Sequence, residues 1–386
     1  MTMPPGYQSR LAHTRRATGA PIAVLVLLSI VGALLLLAVG AKHPAGLAVA
    51  IPLTALAMSV VLAGYFWLDR WEPEPARLLL LAFLWGAVVA VVISLVLELA
   101  TSEVLGSGVV LTLAGPAIEE AAKGAFVLLM LTGARRREFD GVVDGLVYAG
   151  FAAVGFAFVE DIGYIAESFG QGTETTVTTV VLRLVLAPFA HPLFTSLIGL
   201  GFGLAVSRRG PNRWLYPAAG YLGAVALHAL WNSSLVFGLA GYLVVYVLIM
   251  VPAFVAAVLV ARYHRTRERD VVNRQLPAMV YYRWITPAEA GWLASIAARR
   301  QWLRAVRQRT GPDGAHALRS FQRAATELAF LRDRVERGVG PPDAYYLHAE
   351  LVQALGITRA LAQQPLRANP APAAVIPPVA PDHLRR

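Results

Sequence analysis

Two adjacent glutamates, Glu119 and Glu120, and a lysine one turn later, Lys123, sit inside the run GPAIEEAAKGAFVLLML. The rest of that run is apolar enough to cross a bilayer. An ionisable side chain at that depth costs roughly 3 kcal/mol or more and marks a functional site. Three later apolar segments carry groups of the same kind: Glu160 with Asp161, then His191, then His228 with Asn232. Carboxylates can take a proton from water, imidazoles can move a proton or bind a metal, and an amide can hydrogen-bond an oxyanion. The set has what hydrolysis of an amide bond requires. There is no cysteine, which excludes a thiol nucleophile, thiolate metal ligands and disulfides.

Helical spacing narrows the arrangement. Glu119/Lys123, Phe156/Glu160, His191/Thr195 and His228/Asn232 are each four apart and so share a helix face. Glu119 and Glu120 lie about 100° apart around a helix and cannot point at one spot. One should face the site while the other orients it or neutralises Lys123.

The elements that must carry these residues are membrane helices. The chain has 386 residues, 57% of them hydrophobic, and its mean hydropathy is +0.57. That composition predicts an all-α, polytopic membrane helix bundle in the cell membrane. Eight segments have the necessary length of about 20 apolar residues. They are residues 21–40, 46–68, 78–99, 109–132, 141–165, 179–206, 214–237 and 240–261. The first apolar run is long for a signal peptide, so an uncleaved span is favoured. Lys and Arg fall in alternate loops: Arg15 and Arg16, Arg70 and Arg77, Arg135 to Arg137, Arg208 to Arg213, then the tail from Arg262. The other loops hold only Lys42. This bias predicts both termini in the cytoplasm.

The orientation sets depths. Glu119 lies about ten residues from the outer end of its span, roughly 15 Å at 1.5 Å per residue. His228, Asn232, Glu160 and His191 fall between the midplane and the outer leaflet, with Pro188 and Pro192 expected to break the helix around His191. Packing defects would not be expected to share one layer. Glu98 and Glu103 read as interfacial, and Arg183 as a snorkelling residue or a partner for Glu160.

The net charge of +10 belongs to the tail, because residues 1–261 carry 14 basic and 14 acidic groups. The expected organisation is a cytoplasmic segment 1–20, a transmembrane domain 21–261, a basic helical region 262–363 and a disordered Pro/Ala-rich end 364–386. Thr286-Pro287-Ala288-Glu289 reads as a capping box opening a helix over 285–309, with further helices over 313–337 and 343–363, each behind an Asp cap. A basic tail beside a membrane points to anionic headgroups rather than nucleic acid.

In order, GPAIEEAAKG, DGLVYAGFAAVGFAFVEDIGY, APFAHPLFTSLIGLGFGLA and HALWNS resemble the PrsW family of intramembrane metalloproteases. That family lies in the clan of CAAX prenyl proteases and bacteriocin-processing enzymes. The loop DRWEPEP is similar too, and the resemblance covers about residues 69–237. It implies catalytic roles for Glu119, Glu120, Glu160, His191, His228 and Asn232, with Lys123 and Phe156 in support. It also implies a membrane-anchored protein substrate, such as an anti-sigma factor. Asp161 departs from the pattern, where an asparagine is expected. Glu160, His191 and His228 offer ligands for a divalent ion, zinc by donor type. A glutamate and a histidine activating water without metal fits the same residues, and either Glu119 or Glu120 fits the base. There is no HExxH, no GxSxG with a usable base and no GxGD-like aspartate pair, and Ser196 lies off the His191 face. The rival reading is a secondary transporter with a Glu/His proton or cation site, which predicts repeat symmetry that is not visible.

Overall fold

The computed structural model describes residues 42–363, together with 27 and 30–32. The arginines of residues 1–20, most of the expected span 21–40 and the Pro/Ala-rich end from 364 lie outside the described residues. Among the described residues there is no strand. The chain divides after Glu268 into two compact units.

The first unit is a helix bundle. Its helices are α1 (Pro44–Leu68), α2 (Ala76–Leu105), α3 (Gly115–Met130), α4 (Val142–Phe169), α5 (Thr173–Val180), α6 (Ala190–Val206), α7 (Leu215–Ser234) and α8 (Gly238–Val245). Helix α9 (Val251–Tyr281) follows. Helix α4 is the axis, because it is apolar all round and 83% of its apolar window is buried. α1, α2, α3 and α6 all pack on it. Glycines allow that closeness: a side chain on Gly145 would enter the backbone of α6 at Gly199, and one on Gly155 would enter α2 at Phe83.

Five helical stretches are long and apolar enough to cross a membrane. One of them, Pro211–Tyr281, takes in two of the expected spans, and Gly238 breaks it with φ +66°. The expected fourth span is also helical, over residues 107–130, with Glu119, Glu120 and Lys123 in its second half. The helix between α5 and α6 breaks at Ala187 (φ −125°, ψ 37°), ahead of Pro188. The expectation for Pro192 fails. It lies in the first turn of α6, where no amide donor is missed.

Wide π-helical turns interrupt the rods at Trp85–Ala90, Val110–Ala114, Val181–Leu186 and Tyr246–Met250. Side chains bond carbonyls in two of these turns: Asn232 donates to Leu111 O at 3.1 Å, Tyr242 to Leu182 O at 2.8 Å and Tyr246 to Leu186 O at 3.0 Å. Such turns accompany functional sites, and these two line the cavity described below.

The second unit is helical: α10 (Pro287–Leu293), α11 (Ile296–Glu336) and α12 (Ala344–Ala362). The capping box forms, with Glu289 N donating to Thr286 Oγ1 at 3.2 Å and Thr286 N to Glu289 Oε2 at 2.7 Å. The expected helix 285–309 is split by a second cap, Ser295, which accepts from Ala298 N. Gly311 kinks α11 at φ +71°. Asp343 stands at the N-cap of α12 but makes no capping hydrogen bond. Arg299 is buried, donating to Leu293 O and Thr326 Oγ1, and burial lowers its pKa to about 10.

Candidate active site

Helix α3 presents Glu119, Glu120 and Lys123 to the bundle interior, all three buried. The two glutamates are used differently. Glu120 is fully enclosed. Its Oε1 lies 2.7 Å from Lys123 Nζ and 3.0 Å from His228 Nδ1, and its Oε2 accepts from Thr195 Oγ1 at 2.8 Å. Glu119 instead lines a cavity of about 530 Å³. Its Oε2 is 3.1 Å from Lys123 Nζ and 3.9 Å from a nitrogen of each histidine, Nδ1 of His191 and Nε2 of His228.

Each imidazole is held by a carboxylate on its far side. His191 Nε2 lies 2.6 Å from Glu160 Oε2, and His228 Nδ1 faces Glu120. With those nitrogens donating, His228 Nε2 turns its lone pair toward the Glu119 side and His191 Nδ1 turns its own toward the Lys123 ammonium at 3.1 Å, beside Glu119. The rings meet edge to face, 5.1 Å apart. Phe194 stacks on His228 at 4.6 Å and Phe156 tilts against His191 at 5.4 Å, so neither ring can rotate freely. Glu160 is tied in turn to Arg183 at 3.1 Å, and Arg183 also bonds Asp161 at 2.5 Å. The aspartate that departs from the family pattern thus has its counter-charge on the chain.

Glu119, His191 and His228 bring one ligand atom each within 4.8 Å of one another. Two imidazoles and a carboxylate, with the outer imidazole nitrogens on carboxylates, are the donor set and supporting shell that divalent zinc accepts. Lys123 competes for it, since its ammonium lies 3.1 Å from both Glu119 Oε2 and His191 Nδ1.

Five of the residues singled out in the sequence, Glu119, Glu120, Glu160, His191 and His228, meet in this network, with Lys123 and Phe156 against it. Glu160 stands outside the three-donor group, behind His191. Asn232 lines the cavity, but its amide is turned to Leu111 O rather than to His228. Two cavity residues were missed. Glu98, read above as interfacial, and Ser94 one turn before it both lie in the wall. Their spacing of four within an apolar span was the available signal.

The family described as "PrsW family intramembrane metalloprotease" matches residues 74–257, which takes in every residue of this network. The "Protease PrsW" of Geobacillus kaustophilus is 30% identical over 183 residues, covering 46% of this chain and 76% of that protein. The chain belongs to the PrsW family. "Protease PrsW" of Bacillus subtilis is 30% identical over 153 residues, 39% of this chain and 66% of that protein. "Protease PrsW" of Oceanobacillus iheyensis is 26% identical over 222 residues, 56% of this chain and 96% of that protein. No solved structure matches. Membership makes the chain an intramembrane protease, and the transporter reading is not favoured. The second unit lies outside the PrsW match.

Proposed function

We propose that this PrsW-family member hydrolyses a peptide bond of a membrane-anchored protein near the external side of the bilayer, and that Glu119 faces the water that attacks. The observation that carries this is the asymmetry of the glutamate pair: Glu119 opens on the cavity, while Glu120 is closed off by three partners. A carboxylate facing a bound water can take its proton as a general base. Glu120 holds His228 and Lys123, and Glu160 holds His191, which leaves His228 Nε2 and His191 Nδ1 on the Glu119 side, the latter shared with the Lys123 ammonium. Lys123 balances the two carboxylates at its side.

Glu119, His191 and His228 would hold a divalent ion, with zinc suited to that donor set. When bound, such an ion acidifies a water and polarises the scissile carbonyl. Asn232, at the cavity wall, would donate to the oxyanion once its amide leaves Leu111 O. The eight-span topology with cytoplasmic termini and a plasma-membrane location belong to this reading, as does an anti-sigma factor as one class of substrate. So does contact of the basic second unit with anionic headgroups, for which exposed Arg300, Arg304 and Arg307 on one face of α11 provide charge.

The test is cleavage of a single-span membrane protein by the full chain in lipid vesicles, with the cut mapped by mass spectrometry. A cut in the outer half of the span supports the reading. A cut in the inner half contradicts its depth, and cleavage by Glu119→Gln at the wild-type rate contradicts its chemistry.

A further inference from the structure

The cavity wall also carries acceptors that the chain does not use. Ser94 and Glu98 lie four apart on α2 and both line the cavity. Ser94 is 3% exposed, and its Oγ has no hydrogen-bond partner. Glu98 Oε1 is likewise buried without a partner. The other carboxylates nearby are balanced: Glu119 by Lys123, and Glu160 and Asp161 by Arg183. Glu98 has no ion pair among the described residues. Across from it stands Gly115, where a Cβ would come within 3.6 Å of the Glu98 carboxylate. The glycine leaves that carboxylate uncovered from the α3 side.

A carboxylate and a hydroxyl left open at this depth each carry an unrecovered desolvation cost. A hydrogen-bond donor brought by the substrate would recover it. We propose that Ser94 and Glu98 form a substrate subsite that takes a lysine or arginine side chain lying beside the peptide bond presented to Glu119. The reading rests on the proposed protease function. Its geometry suits a juxtamembrane residue: Glu98 is seven residues from the end of α2 at Leu105, about 10 Å along the helix. A cationic side chain near the outer boundary of a single-span protein reaches that depth with its stem in the apolar layer. The ion pair then forms away from bulk water, where it discriminates more strongly than a surface pair.

The experiment uses the full chain in vesicles of phosphatidylcholine and phosphatidylglycerol. The probes are single-span peptides that differ only in having Lys, Leu or Glu at one position, scanned along the outer boundary. At one position the Lys peptide should exceed the Leu peptide in kcat/KM by about 10- to 100-fold, mostly through KM. Glu98→Gln should bring that ratio close to one, Ser94→Ala should reduce it, and Glu98→Lys should turn the preference toward the Glu peptide. Equal cleavage of the Lys and Leu peptides by wild type at every position would overturn the subsite and leave the protease intact. A preference that survives in both Glu98 variants would also overturn it. Failure of wild type to cleave any of the peptides would strike at the protease reading itself, and the subsite would fall with it.

Discussion

The first unit gathers two groups of carboxylates, and they are built on different plans. Around Glu119 the acids meet two imidazoles, a lysine and a cavity. Around Glu74 they meet neutral donors belonging to the chain. Tyr148 Oη donates to Glu74 Oε2, the amides of Asp140 and Gly141 donate to Asp144 Oδ2, and Glu74 N donates to Asp69 Oδ2. The second group caps the start of α4 and pins the loop that leads into α2. Burial pushes the Glu74 carboxyl well above the usual range, and the neighbouring Asp144 and Asp69 carboxylates add to this. Glu120 and Lys123 are fully buried and Glu74 and Asp144 partly so, and both groups take carboxylates out of bulk water, so withdrawal of charge from water does not by itself identify a site. What separates them is free valence directed at a space large enough for a substrate.

The largest effect that would sharpen this contrast is loss of the open carboxylate. Glu119→Gln should lower the cleavage rate by about 10²- to 10⁴-fold, measured on a single-span substrate in vesicles. Glu74→Gln should leave the rate within about twofold, because an amide still accepts from Tyr148. A large rate loss in Glu74→Gln would break the contrast from the other side. Next in size is the metal. If the three-donor group holds zinc, wild type purified without chelator should carry close to one equivalent by mass spectrometry of the metal, and His191→Ala should carry little. Equal, negligible metal in both would favour water activation by the glutamate and histidines alone.

A smaller effect concerns the cap group. Glu74 has a folded-state pKa above its unfolded value of 4.5, so the stability it contributes is present below that pH and lost as pH rises through its folded value. Thermal melts of wild type should therefore fall in midpoint from pH 5 upward by more than those of Glu74→Gln, which mimics the protonated form. Identical pH slopes would show that Glu74 is not held in the state described. Smallest is Tyr148→Phe, which removes one hydrogen bond. It should cost about 1 kcal/mol in a denaturation series with cleavage retained.

Much of the site was legible in the sequence, because charged residues in an apolar frame stand out and the loop charges assign them a depth. The i,i+4 pairs were also legible, and Thr195, paired there with His191, supplies the hydroxyl that bonds Glu120. Partner choice was not legible. Glu160 and Glu119 have the same chemistry, and only the packing of α6 and α7 against α3 sets His191 Nδ1 and His228 Nε2 on the Glu119 side. Glu98 was lost for the opposite reason: the expected span ends at residue 99, which sets Glu98 at its edge, whereas the helix runs on to Leu105 with Glu98 in the cavity wall. The π-helical turns leave no mark in composition; in two of them the freed carbonyls meet side chains from another helix, Asn232, Tyr242 and Tyr246, which no local pattern reveals. Pro192 misled because a proline in a first turn resembles one that breaks a helix when the helix start is unknown.

The central claim is that Glu119 does the chemistry and Glu120 builds the site. It is tested most directly by measuring cleavage rate and thermal stability side by side for Glu119→Gln and Glu120→Gln in the same vesicles. Glu119→Gln should melt near the wild type and fail to cleave. Glu120→Gln should melt lower, since a buried pair broken on one side costs about 3–5 kcal/mol, and should lose activity as His228 and Lys123 lose their anchor. A Glu119→Gln protein that cleaves at the wild-type rate, or one that is inactive only because it has lost its fold while Glu120→Gln has not, would contradict the account.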